Sequence, residues 1–285
     1  MEKEQENFID WDFKEADTNE YTHCMHTYPA MMIPQIARRL IYLYGGNAKT
    51  LLDPFVGSGT SIVEASLSPN IREAYGFDLN PLAILISKVK TTKIDSKKLE
   101  EELPKIINSK GYNSIPKFKN IDFWFKPKVI EQLATLKNAI NKIKDEDMRD
   151  FFLVCFSETV RDVSNTRNGE FKLYRMAEKN LMKHNPYVHA KFEKIALDNI
   201  KGMKEYNKVR TNTKTEPILF SSMNQLPLKE NSVDIILTSP PYGDSKTTVA
   251  YGQFSRLASQ WLDYEDIISL DNKLLGGKAS KELEV

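Results

Sequence analysis

Apolar residues follow two rhythms along this chain. Met32, Ile33, Ile36, Ala37, Leu40, Ile41 and Leu43 recur at helical spacing, with Gln35, Arg38 and Arg39 between them. That pattern predicts a helix over 30–44, ended by Gly45-Gly46-Asn47. Elsewhere the apolar residues form short compact runs, at 50–53, 74–78, 217–220 and 233–237. Such runs read as buried parallel strands. A helix is expected after each of the first two, over 61–67 and 81–90, with Pro81 at a favourable early position. Between the second and third strands, residues 91–215 carry few strand signals. Helices are predicted there over 96–107, 128–143, 147–160 and 186–206, and one more over 254–262. The pattern predicts an α/β protein with four strands and a large, mostly helical insert. It divides the chain into 1–92, the insert 93–215, and 216–285. Residues 1–20 are polar and mixed, an arm rather than core.

Two turns carry the candidate chemistry. Pro54-Phe55-Val56-Gly57-Ser58-Gly59-Thr60 links the first strand to its helix, and Asp78 ends the next strand. Glycines let a backbone approach a ligand closely, and an acid at that place accepts two ribose hydroxyls, an arrangement that binds an adenosyl group. The full GxGxxG spacing is missing, which disfavours pyrophosphate. A tight strand-to-helix turn in an unrelated α/β protein is the other reading. The second turn is Thr238-Ser239-Pro240-Pro241-Tyr242. Two prolines cannot continue a strand ladder, so the strand must stop there. In an open α/β sheet ligands sit at that carboxyl end. A hydroxyl, free carbonyls and an aromatic ring suit a flat, amino-bearing ring. A plain Pro-Pro loop is the alternative.

Composition narrows the classes. The chain has 285 residues, 41% hydrophobic and 28% charged, which supports a packed core and excludes wholesale disorder. The net charge of +1 gives no global attraction to nucleic acid, so any basic surface must be local. Arg161, Arg167, Lys172 and Arg175, interleaved with Ser164, Asn165, Thr166 and Asn168, form one such run. It could grip DNA phosphates or reach base edges; a solvated loop is the other reading. Phe123-Trp124-Phe125 reads as core. Cys24 and Cys155 are too few for a disulfide framework or a zinc site and fit a reduced, cytoplasmic setting. The N-terminus is acidic and unlike a signal peptide, and no apolar run is long enough to suggest a membrane span.

Together these motifs resemble the amino-group DNA methyltransferases. DPFVGSGT (53–60) is similar to their first motif, FDLNP (77–81) to the second, and TSPPY (238–242) to the catalytic one. HTYPAMMIPQIARRLI (26–41) is similar to the segment that closes over the methionine end of the cofactor. The resemblance implies a Rossmann-like class I methyltransferase sheet, S-adenosylmethionine as cofactor and double-stranded DNA as partner. It places Asp53, Pro54, Phe55, Gly57, Ser58, Gly59 and Thr60 around the cofactor. Asp78 would hold the ribose, with Leu79 and Asn80 beside it, and His26, Tyr28 and Pro29 would line the methionine end. The adenine-contact slot, often an acid in such families, holds Ser222. Ser239, Pro240, Pro241 and Tyr242 would be catalytic. The serine form resembles cytosine-N4 enzymes, giving that as the first expectation, in a restriction–modification setting. Adenine-N6 methylation is the alternative. An RNA or protein amide methyltransferase, or an inactive cofactor- or DNA-binding half, are further readings.

The family sheet has seven strands and only four are legible here. A split or truncated enzyme completed by a C-terminal partner chain is therefore expected. The cofactor and catalytic turns should meet at one edge of one sheet: Gly57 and Ser239 must share a cleft.

Overall fold

A computed structural model describes residues 11–167, 169–170, 172–222, 224–239 and 249–274. Four parallel strands form the sheet: β1 (Thr50–Asp53), β2 (Glu73–Asp78), β3 (Lys214–Leu219) and β4 (Ile235–Ile236), in the order β3-β2-β1-β4. The four apolar runs are the four strands, so the sheet agrees with the sequence expectation. Leu51 faces Ala74 on one side and Ile235 on the other, while Asp78 pairs with Leu219. Pro217 is accepted within β3 because β3 is an edge strand among the described residues and needs no outward N–H donor there.

β4 is shorter than its apolar run suggests, yet the ladder extends past both ends. Asp234 N–H donates to Thr50 O at 3.1 Å and Leu237 N–H to Leu52 O at 3.0 Å. Asp234 does further work: its Oδ2 accepts the amides of Lys49 (2.7 Å) and Thr50 (2.9 Å), fixing the start of β1 against β4. β4 is the other edge of the described sheet, and Ile236 on it is 63% exposed.

Helices cover both faces. α1 (Pro34–Tyr44) and α2 (Thr60–Leu67) enclose a smaller core with Leu51, Ile62, Ala74 and Leu237. The larger core lies on the other side, under α3 (Pro81–Thr91). The insert supplies most of it through α4 (Ser96–Ile107), α5 (Ile121–Trp124), α6 (Pro127–Ile140), α7 (Glu146–Val163), α8 (Glu178–Lys183) and α9 (Val188–Val209). α7 carries Phe151, Phe152, Phe156 and Val160 on its buried positions, and α9 answers with Phe192, Ala196 and Met203. The insert is thus bonded into the core of the sheet domain by apolar packing, which is non-directional and scales with buried area.

Two helices follow β4: α10 (Tyr251–Trp261) and α11 (Ile267–Lys273). α10 starts three residues earlier than its hydrophobic pattern suggests, and α11 was not legible from the apolar spacing. The aromatic knot divides its roles, with Phe125 fully buried, Trp124 partly buried and Phe123 exposed. No helix among the described residues is long and apolar enough to cross a membrane.

Candidate active site

The carboxyl ends of β1, β2 and β4 open into one cavity of about 410 Å³. Gly57 from the first turn and Ser239 from the second both line it, so the two turns share a cleft. This is the meeting on which the sequence reading depends.

The turn after β1 is built by hydrogen bonds. Val56 N–H donates to Phe77 O at 2.9 Å, continuing the contact with β2 past the strand ends. Gly57 N–H donates to Asp78 Oδ2 at 3.0 Å, and Ser87 Oγ from α3 donates to Gly57 O at 2.7 Å. Gly57 and Gly59 have φ values of +50° and +89°, conformations that suit glycine because a Cβ clashes there. Gly59 is the N-cap of α2, whose first residues Thr60 and Ser61 line the cavity. Asp53, 3% exposed, accepts Phe55 N–H at 3.0 Å and the Ser61 hydroxyl.

Both carboxylates are held above their ordinary range. Burial raises Asp78 to about 6, against the pull of the Asn80 and Gly57 amides. Burial also raises Asp53, opposed by Ser61 and the Phe55 amide. Asp78 Oδ1 accepts the Asn80 amide and Oδ2 the Gly57 amide, with the Leu79 amide also near, and the roughly four acceptor sites of a carboxylate leave capacity for a ligand hydroxyl.

Among the expected cofactor residues, Tyr28, Pro29, Asp53, Pro54, Phe55, Gly57, Ser58, Thr60, Asp78, Leu79 and Ser222 line the cavity. Three do not. His26 lies beneath it, 4% exposed, against the Phe254 ring and 3.4 Å from Glu158. Burial lowers its pKa to about 3, with Lys90 and Arg161 adding to the effect, so it is neutral and makes no ion pair. Gly59 supports the turn from behind, against Ser87. Asn80 is 1% exposed: its Oδ1 caps α3 at Leu82 N–H, and its Nδ2 donates to Tyr28 Oη (3.1 Å) and Ser255 Oγ (2.7 Å). These residues position the wall rather than form it. Pro240, Pro241 and Tyr242 lie outside the described residues.

Sequence reasoning missed part of the wall. Met31, Met32 and Phe220 add apolar surface, and Tyr251, Lys273 and Leu274 arrive from beyond the catalytic turn. Tyr251 stacks on Tyr28 with ring centroids 6.1 Å apart. Only the aromatic character of Tyr251, one residue into α10, could have hinted at this; Lys273 gave no signal. Helical spacing puts Met32 on a helix face, but the helix starts later, at Pro34.

The basic run is mostly structural. Arg161 lies over the Phe254 ring at 3.8 Å and donates to the carbonyls of Phe254 and Glu170. Arg175 donates to Phe123 O at 3.1 Å and lies over the Phe123 ring at 4.5 Å. Thr166 and Arg175 pair as an antiparallel bridge, making the segment a hairpin rather than a loose loop. Their guanidiniums hold it to α5 and α10, which corrects the expectation that both are offered to DNA. Arg167 pairs with Glu170 at 3.3 Å near the tip, and Lys172 is exposed there.

A parallel sheet with helices on both faces, a glycine turn after β1, an acid ending β2 and the sequence Ser-Pro-Pro-Tyr following β4 define a Rossmann-like methyltransferase fold. The cavity has the size and the mixed apolar and carboxylate lining that S-adenosylmethionine, the methyl donor of such enzymes, requires.

The family model of D12 class N6 adenine-specific DNA methyltransferases matches residues 32–274, and the chain belongs to that family. It is 45% identical over 299 residues to the Type II methyltransferase M.MvaI of Kocuria varians, covering 96% of this chain and 65% of that protein. It is 30% identical over 105 residues to the Type II methyltransferase M.MjaII of Methanocaldococcus jannaschii, covering 35% of this chain and 19% of that protein. The chain therefore spans less than two thirds of the length of these relatives. No solved structure matches it significantly. The family description points to adenine N6 rather than the cytosine N4 first expected from Ser239. The Kocuria relative matches nearly all of this chain within a single polypeptide, which lends no support to the complementing chain.

Proposed function

We propose that this protein transfers a methyl group from S-adenosylmethionine to an exocyclic amine of a base in double-stranded DNA, as the modification enzyme of a Type II restriction–modification system. The observation that carries this is the shared cavity of Gly57 and Ser239. When bound, the cofactor would supply a methyl activated by a sulfonium: the N–CH3 bond would form as the S–CH3 bond breaks, the sulfur would leave as a neutral thioether, and the amine would release one proton to solvent.

The exocyclic amine is a poor nucleophile because its lone pair is conjugated with the ring. The Ser239 hydroxyl and the Pro240 carbonyl act as acceptors for the two amine hydrogens, favouring a tetrahedral nitrogen where positive charge develops. Tyr242 stacks on the base once it leaves the duplex. Asp78 accepts the ribose hydroxyls, and Asp53 fixes the first turn of α2. The fixed placement of the two turns lowers the barrier by orientation, with no covalent enzyme intermediate.

Adenine N6 is the target favoured by the family description. A second reading, cytosine N4, rests on the serine at position 239. Incubation with DNA and cofactor, digestion to nucleosides and mass identification separate them: N6-methyladenine or N4-methylcytosine. Methylation of RNA or protein with none of DNA would overturn the proposal.

A further inference from the structure

The cavity contains a cation that the motifs do not explain. Among its described lining residues Lys273 is the sole positive charge, facing a wall whose charged groups are otherwise Asp53 and Asp78. Lys273 is the last residue of α11, and it has no ion pair or hydrogen bond with any other described residue.

Its place along the cavity follows from the helix pair. α10 and α11 pack together across a short turn, in which Asp263 N–H donates to Gln260 O and Tyr264 N–H to Ser259 O. The chain thus reverses, and Lys273 at the end of α11 lines the same cavity as Tyr251 at the beginning of α10. The beginning of α10 is Tyr251, stacked on Tyr28. Ser255, one turn on, is bonded to Asn80, which also holds the Tyr28 hydroxyl. Lys273 therefore shares the cavity wall with Tyr28 and Tyr251, and α10 is anchored to that wall by a stack and a hydrogen bond.

We infer that Lys273 binds the carboxylate of the cofactor's methionine moiety, making it a cofactor-positioning residue supplied from beyond the catalytic turn. This rests on the cofactor reading above. Asp53 and Asp78 would repel that carboxylate, and Lys273 is the one cation among the described lining residues that can pair with it. An ammonium on a flexible stem reaches a carboxylate without requiring a fixed fork geometry.

The test compares two ligands by calorimetry: S-adenosylhomocysteine, which has the carboxylate, and 5′-methylthioadenosine, which lacks the amino-acid end. In Lys273→Met, binding of S-adenosylhomocysteine should weaken about tenfold, as for loss of one charge-assisted hydrogen bond, while 5′-methylthioadenosine binds unchanged. Lys273→Arg should restore most of the difference. Equal losses for both ligands, or no loss for either, would overturn the assignment, including the case where only DNA affinity falls. If the unmodified protein binds neither ligand, the cofactor reading itself fails, a result distinct from the others.

Discussion

Gly57 N–H donates to Asp78 Oδ2 at 3.0 Å, so the glycine turn after β1 and the acid ending β2 are one hydrogen-bonded unit. The acid is thereby held beside the turn before any ligand arrives. Its burial makes its charge state responsive to pH near neutrality.

Asp78 titrates near 6 when folded, above the ~3.9 of a free aspartate. Because the folded value is raised, the stability given by protonated Asp78 is complete below the unfolded value and is lost as pH rises through about 6. Cofactor binding runs the other way, since ribose hydroxyls donate to the ionised form. Affinity for S-adenosylhomocysteine should be level above pH 7 and fall below pH ~6. Calorimetry between pH 5 and pH 8 checks this, and Asp78→Asn should bind weakly with the slope gone.

The two glycines should separate stability from binding. At Gly59 an added Cβ would lie 3.0 Å from Ser87 Oγ and 3.1 Å from its Cα, with φ at +89°. Gly59→Ala should lose about 2 kcal/mol or more in urea unfolding. At Gly57 the nearest atom is Tyr28 Cε1 at 3.7 Å, so the backbone strain at φ +50° remains but no clash is added. Gly57→Ala should unfold nearer to the parent, yet bind S-adenosylhomocysteine more weakly because its methyl occupies the cofactor side of the turn.

Ser239→Ala should lower the single-turnover methylation rate about 100-fold, in the range for losing one donor or acceptor aimed at developing charge. Cofactor affinity should change little. Equal losses in both quantities would show that Ser239 serves the cofactor and not the amine.

Arg161 and Lys172 lie in one basic run and should behave differently. Arg161→Ala removes two carbonyl acceptors' partner and the stack on Phe254. A loss of about 1–3 kcal/mol in stability is expected. Lys172→Ala should leave the melting temperature unchanged and weaken DNA binding with a shallower salt dependence. Filter binding at several salt concentrations and thermal melting distinguish the two.

Much of this architecture was legible because compact apolar runs and helical spacing report burial directly. All four strands and the main insert helices follow from it. The cavity wall was legible where a glycine or an acid has a backbone reason to be there, as at Gly57 and Asp78. His26 and Asn80 were placed one layer too far forward, because a motif gives order along the chain but not depth. Arg161 shows the same limit: a basic residue in a polar run is indistinguishable in sequence from a DNA ligand until Phe254 and Glu170 are seen around it. Tyr251 and Lys273 escaped notice because their helices carry no periodicity that marks one end as a cavity wall.

Among the described residues the margin of β4 is open, which has a practical corollary. With only Ile235 and Ile236 in the strand, the row of outward amides is brief, and Ile236 leaves an oily side chain beside it. An incoming peptide would gain few backbone bonds there and would have to supply its own apolar cover. Concentration and detergent should therefore govern how this protein behaves in the test tube more than ionic strength does.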